Sequence, residues 1–162
     1  MEMKHSFQRT LILLKPDAVQ RRLIGRILAR FEEKGLTIAA LKMMRVSEQL
    51  ARTHYAVHKG KEFYEPLVRF ITSSPIIACV VEGEDAIIVT RKMMGSTFGR
   101  TAEPGTIRGD FGISKRYNLI HGSDSPETAA FEIPLYFKPE EILDHRPDDL
   151  KWVYDLTGPE VI

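Results

Sequence analysis

The sequence is short of several things, and each shortage excludes something. It holds one cysteine in 162 residues, so no disulfide can close within the chain. That cysteine, Cys79, lies inside Ile76-Ile77-Ala78-Cys79-Val80-Val81 and reads as a buried, inert thiol. Asparagine occurs once, at Asn118, and Leu119 and Ile120 follow it, so there is no glycosylation sequon. No apolar run is long enough to span a bilayer, and residues 1–9 are too polar to read as a secretory signal. Neither sign of charge is in excess: 23 Lys and Arg face 22 Asp and Glu, a formal balance of +1. That tells against a general nucleic-acid or membrane surface and leaves room for a local basic pocket. Together these shortages predict a cytoplasmic protein.

What is present is ordinary for a soluble globular chain: 43% hydrophobic and 28% charged residues. The length predicts one domain over 1–162, able to bury roughly 70% of its unfolded surface without a disulfide or metal staple. Thr10-Leu11-Ile12-Leu13-Leu14 predicts a first strand, ended by Lys15-Pro16-Asp17, with Asp17 placed to cap a helix. Val19, Leu23, Ile27, Leu28 and Phe31 recur at helical spacing up to Gly35. A second strand is expected over 36–46, then a helix from the Ser47 cap to about residue 57. Phe63, Leu67 and Phe70 predict the buried stripe of another helix. A third strand spans 76–81 and stops at Gly83, and Asp85 caps a helix to about 94. A brief fourth strand over 119–121 precedes a helix that Ser125 and Pro126 begin, with Ala129, Ala130, Ile133 and Phe137 as its buried positions. Four strands with helices on one side give an α+β fold. The leading topology is the ferredoxin-like split-βαβ arrangement with an antiparallel sheet.

Two stretches carry chemistry. Residues 95–118 show little periodicity but five glycines, with Arg100, Arg108, Lys115 and Arg116 among them. Such a loop either lets backbone and arginines approach a phosphate or is a solvated surface loop, and composition alone does not choose. His121 sits where a short strand ends beside a helix N-terminus, a place that favours anions. Histidines at strand ends are more often structural than catalytic.

Other patterns carry less. Asp110-Phe111-Gly112 spells a protein-kinase tripeptide without the motifs that accompany it, in a chain too short for that fold. There is no P-loop and no Gly-x-Gly-x-x-Gly after a strand. His54 and His58 stand four apart, as zinc ligands on a helix can. Tyr55 occupies the place of a zinc protease's glutamate, however, and no third ligand is evident, so the pair predicts no metal site.

Several motifs in one register resemble a known family. Asn118-Leu119-Ile120-His121-Gly122-Ser123-Asp124-Ser125 is similar to the active-site signature of the nucleoside diphosphate kinases. Lys15-Pro16-Asp17-Ala18-Val19-Gln20-Arg21 resembles that family's N-terminal stretch, and Pro104-Gly105-Thr106-Ile107-Arg108-Gly109-Asp110-Phe111 resembles its P-G-T-I-R-G-D-F loop. His54-Tyr55 and Trp152-Val153-Tyr154 also fit. The resemblance covers about residues 9–154 and leaves a short tail.

The resemblance implies transfer of the γ-phosphoryl group of a nucleoside triphosphate to a nucleoside diphosphate, in two steps through a phosphohistidine on His121. It implies that Glu132 orients that histidine and that Ser123 supports the arrangement. Lys15, Tyr55, Arg91, Thr97 and Arg108 would line the phosphate end. Asn118 would bond the sugar, and Phe63, Leu67 and Lys115 would hold the base. Mg²⁺ would arrive on the nucleotide phosphates, with no direct protein ligand and Asp124 in reach through water. Gly122 would leave space for the phosphoryl group. The family's assemblies imply a homo-hexamer, less often a tetramer, with no nucleic acid or membrane partner. Two places depart from the family: Phe98-Gly99 stands where Asn-Pro is common, and Tyr117 precedes Asn118 where small or basic residues are frequent.

Overall fold

A computed structural model describes residues 7–155. Residues 1–6 and 156–162 lie outside it, and with them most of the expected tail and of the segment judged too polar for a signal. The sheet has four strands: β1 (Phe7–Leu14), β2 (Thr37–Met44), β3 (Ile76–Glu84) and β4 (Ile120–Gly122). Their order is β2-β3-β1-β4, and every neighbouring pair is antiparallel. This is the ferredoxin-like α+β arrangement.

Helices cover both faces of the sheet, not one. Ile12 and Leu14 of β1 pack with Ile27, Phe31, Ala86, Met94 and Ile107. The alternate residues Leu11 and Leu13 pack with Ala51, Val68, Ile71 and Tyr136. A strand sends successive side chains to opposite faces, so these two clusters lie on opposite sides. The first face is built by α2 (Ile24–Glu33), α5 (Ala86–Met94) and α6 (Ile107–Phe111). The second is built by α3 (Glu48–His54), α4 (Tyr64–Thr72) and α7 (Pro126–Tyr136). Burial on both faces is why the β1 and β3 sequences are continuous apolar runs without alternation.

Several local expectations shift. The first helix is two: α1 (Pro16–Gln20) and α2, separated where Arg22 takes φ +58°. Asp17 does not cap α1; its carboxylate accepts from the backbone N–H of Leu119 at 3.0 Å. Asp85 stands at the start of α5 in a left-handed conformation and makes no cap bond. Gly83 lies inside β3, where an added Cβ would meet Leu36 at 2.7 Å and the Tyr154 hydroxyl at 2.9 Å. The loop 95–118 contains α6, whose Thr106 side chain accepts from the Gly109 N–H. The Ser47 and Ser125 caps form as expected, accepting from the N–H groups of Leu50 and Thr128. Among the described residues, no helix is long and apolar enough to cross a membrane.

Candidate active site

The site is assembled at one end of the sheet, where β4 pairs with the last residues of β1. Their register sets Leu13 opposite His121 and Leu14 opposite Ile120. Before β4 the chain makes a tight turn: Ile120 N–H donates to the Asn118 carbonyl at 2.8 Å across Leu119, which has φ +72°. A γ-turn of this hand is strained for a residue with a side chain. It persists because the surroundings hold every group in it. Asp17 accepts from Leu119 N–H, and Lys15 N–H donates to the Leu119 carbonyl at 2.8 Å. Leu119 itself is fully buried in the core.

Arg108 completes the clamp. Its guanidinium donates to the carbonyls of Asn118 (3.1 Å), Gly95 (3.0 Å) and Ile120 (2.7 Å). It is 6% exposed, and burial first, then the nearby Arg91, lower its pKa to about 10. Lys15 donates from Nζ to Asn118 Oδ1 at 2.7 Å, and Asn118 Nδ2 donates to the Thr97 carbonyl at 3.1 Å. Burial and then Arg108 pull the Lys15 ammonium down to about 8, against the opposing pull of Asp17. Arg91 donates to the Gly122 carbonyl at 3.2 Å. Three basic side chains thus converge on one cavity floor, a demanding arrangement without an anion to share.

His121 projects from β4 onto α7. Its Nε2 lies 2.7 Å from Oε2 of Glu132, a close contact but not a well-aligned hydrogen bond. The same Oε2 lies 3.0 Å from Nε2 of His54, and the other carboxylate oxygen accepts from Ser123 Oγ at 2.6 Å. Glu132 is 3% exposed. Burial pushes its carboxyl upward, but the close imidazoles of His121 and His54 and the bond from Ser123 outweigh this and hold it well below the usual carboxylate range. Burial lowers His121 to about 4, with Glu132 opposing and His54 and Lys15 adding to the fall. The ring is therefore neutral near pH 7.

These groups face a cavity of about 770 Å³. Its wall includes Lys15, Tyr55, Leu67, Arg91, Thr97, Arg108, Asn118, His121, Asp124 and Glu132 of the expected residues. Ser123 is buried behind it and reaches the site through Glu132. The Tyr55 hydroxyl is buried with no hydrogen-bond partner among the described residues.

Besides Ser123, two expected residues are not on the wall. Phe63 starts α4, is 47% exposed, and packs edge-on to His58 at 5.1 Å between ring centres. Lys115 lies outside, with Nζ 5.1 Å from the centre of the Phe98 ring. Gly122 lines the cavity through its backbone, but the phosphoryl group is not what excludes a side chain there. An added Cβ would meet Met94 Sδ at 2.6 Å and Ile12 Cδ1 at 3.3 Å, on the core side.

Sequence reasoning missed His54. It is 6% exposed, its Nε2 approaches Glu132, and its Nδ1 is 3.0 Å from the Tyr136 hydroxyl. The signal was the dipeptide His54-Tyr55; the four-residue spacing to His58 drew attention to the wrong partner.

A buried imidazole set against a carboxylate beside convergent cations is an arrangement suited to phosphoryl transfer, and the split-βαβ sheet alone does not choose among chemistries. Comparison with known proteins does. Residues 8–142 match the sequence pattern described as nucleoside diphosphate kinase. The chain is 52% identical over 148 residues to a nucleoside diphosphate kinase of Carboxydothermus hydrogenoformans, covering 91% of this chain and 99% of that one. It is 53% identical over the same length to one from Microcystis aeruginosa, with the same coverage. Among solved structures, a halophilic nucleoside diphosphate kinase of Halobacterium salinarum in complex with CDP superposes with TM-score 0.90. It is 48% identical, and the match covers 92% of this chain and 99% of that one. A transition-state mimic of the Borrelia burgdorferi enzyme with vanadate and ADP superposes with TM-score 0.83 at 42% identity, covering 89% of this chain and 95% of that one. The chain belongs to the nucleoside diphosphate kinase family. It is a phosphotransferase that passes a phosphoryl group from a nucleoside triphosphate to a nucleoside diphosphate.

Proposed function

We propose that His121 is the group that carries the phosphoryl between the two nucleotides. The carrying observation is the Glu132 contact: Nε2 faces a carboxylate at 2.7 Å, which leaves Nδ1 as the attacking nitrogen. The Nδ1 lone pair forms a bond to the γ-phosphorus as the bond to the bridging oxygen breaks, and the diphosphate leaves. The ring becomes positive as it is phosphorylated, and Glu132 stabilises the proton on Nε2. A second diphosphate then takes the group by the reverse step. One site serves donor and acceptor in turn.

The other roles follow from position. Lys15, Arg91 and Arg108 spread the charge of the transferring group, with Tyr55 and Thr97 beside them on the wall. Asn118 has both ends of its amide engaged by Lys15 and Thr97, so it sets the Lys15 ammonium as well as meeting the sugar. Leu67, Phe63 and Lys115 form the outer slot for the base. The exposure of Phe63, an aromatic face that any base can stack on, supports weak discrimination among bases.

Mg²⁺ fits the donor set: the cavity wall offers the carboxylates of Asp124 and Glu127, and this ion prefers oxygen ligands and keeps its waters. It would be held by the nucleotide phosphates, with Asp124 reaching it through water, and would neutralise their charge. A cytoplasmic setting goes with such a substrate and with the buried thiol of Cys79. The chain also assembles into a homo-oligomer, a hexamer in this reading. β2 is an edge strand: Leu143 N–H donates to the Ala39 carbonyl and His145 Nε2 lies 3.1 Å from that of Ile38, while Leu41 and Met43 beyond them are exposed, and an apolar edge invites a second copy. Light scattering that returned a monomer or a tetramer would count against the hexamer.

Incubation with γ-labelled ATP tests the central claim. The expected result is an acid-labile, base-stable label on the protein that moves to added GDP or CDP and is absent from His121→Ala. Label that survives the substitution overturns it.

A further inference from the structure

Beneath the cavity, the two histidines share more than a carboxylate. One ring nitrogen of His54, one of His121 and an oxygen of Glu132 all lie within 4.8 Å of one another, and it is the Nε2 atoms that approach Glu132 Oε2, at 3.0 and 2.7 Å. Two imidazoles and a carboxylate are a ligand set for Zn²⁺, at bond lengths of about 2.0–2.2 Å. They are a poor set for Mg²⁺, which takes oxygens. The supporting contacts are those of a metal site as well. Tyr136 Oη stands 3.0 Å from His54 Nδ1, and Ser123 Oγ holds the Glu132 oxygen not facing the histidines. The Tyr136 hydroxyl is placed to accept from Nδ1–H when the ring carries its proton there. That bond would fix the tautomer in which His54 Nε2 presents its lone pair.

We infer that His54, His121 and Glu132 form a binding site for a divalent transition-metal ion of the Zn²⁺ type, with a fourth position open to the cavity, and that occupancy blocks phosphoryl transfer. The block follows from counting protons. A neutral imidazole carries one N–H. When Nε2 of His121 donates its lone pair to a metal, the proton sits on Nδ1, and Nδ1 then has no lone pair with which to attack phosphorus. The metal also takes Glu132 from its orienting role. Lys15, Arg91 and Arg108 face the same cavity and oppose a second cation, so bound phosphate or a neutral Lys15 favours the metal. The ion enters by a small opening of the cluster. Donors in a tetrahedral Zn²⁺ site stand roughly 3.3 Å apart, against the 2.7 and 3.0 Å contacts seen.

The binding claim stands on this geometry alone; the inhibition claim rests on His121 being the nucleophile. Co²⁺ is the probe for the first, added to the full chain with no nucleotide. One equivalent is expected to give the visible bands of a four-coordinate ion, bleached by Zn²⁺. His54→Gln should weaken binding more than about 100-fold and Tyr136→Phe about tenfold, while His145→Gln, far from the cavity, leaves it intact. Paramagnetic shifts of the histidine ring resonances in the unaltered chain give a second view that needs no variant. His54 and His121 should move most, and shifts confined to His5, His58 or His145 overturn the site, as does binding indifferent to His54→Gln. Zn²⁺ should then abolish formation of the labelled phosphohistidine, and a chelator should restore it. Full labelling with the metal bound overturns the inhibition while leaving the nucleophile assignment untouched.

Discussion

The floor of the cavity and its mouth are built by different rules. On the floor, Lys15, Arg108, Asn118, Ser123 and Glu132 are all buried, and each is tied by hydrogen bonds to backbone or to one another. Off the wall, where the sequence put the mouth, the side chains of Phe63, Phe98 and Tyr117 are exposed and meet their neighbours through ring contacts, and Lys115 rests on Phe98. Buried polar groups must be satisfied in one geometry, so the floor is rigid before any ligand arrives. Exposed rings have no such demand. The contrast goes with the proposed division of labour, in which the floor places the phosphoryl group and the exposed rings meet the base.

The comparison can be broken at the floor first. Arg108→Ala removes donors from three carbonyls of the turn and of Gly95; kcat is expected to fall by about 10²–10³-fold. Thermal or denaturant unfolding should show a loss of about 2–4 kcal/mol, since buried carbonyls are left unpaired. If stability is unchanged, the floor is not held as described. Glu132→Gln is expected to lower kcat by about 10–100-fold with little change in KM, as the ring loses its orienting charge. An equal rise in KM would instead place Glu132 among the substrate contacts.

The pH dependence sharpens the contrast. Lys15 holds its proton below about 8 in the free protein, against 10.5 ordinarily. Initial-rate profiles should therefore show kcat/KM falling as pH rises through 8, because a phosphate-binding charge is lost. The sign for stability is opposite. Between about 8 and 10.5 the unfolded chain binds more protons than the folded one at this position, so the Lys15 contribution to stability rises with pH. Lys15→Gln should remove both trends. The smallest effects belong to the mouth. Phe63→Ala and Lys115→Ala should each raise KM a few-fold, leaving kcat and the melting temperature nearly unchanged. A large loss of stability in either would show that the mouth, too, is structural.

Much of the floor was legible because its motifs are contiguous. Lys15, Arg108 and His121 each stand in a stretch that resembles a family motif, and all three line the one cavity. What the residues alone could not supply is which of two equivalent stripes faces inward. In α4, Phe63, Leu67 and Phe70 have the spacing of a buried face, but so do Tyr64, Val68 and Ile71, and the second set is the buried one. Both stripes are apolar because one meets the core and the other the mouth. In α7 the buried positions are Ala129, Glu132 and Tyr136, so a charge sits where periodicity sought an apolar residue. Ala130, expected inside, is exposed. His54 escaped for the same reason: its partners, Glu132 and Tyr136, lie about 80 residues away on α7, and no local spacing reveals them.

Asp17 and Leu119 are 102 residues apart, and the bond between them holds a turn that would not keep its shape alone. β4, which carries the proposed nucleophile, is the shortest strand among the described residues and sits at the sheet edge. Synthesis completes β1 long before β4 exists to pair with it. Until the chain from 118 to 132 is made and docked, the phosphate-binding residues have no common floor, and no part of the chemistry can run. Activity is thus a report that the two halves of the chain have closed on each other. A nascent or partly unfolded molecule cannot draw on the nucleotide pool.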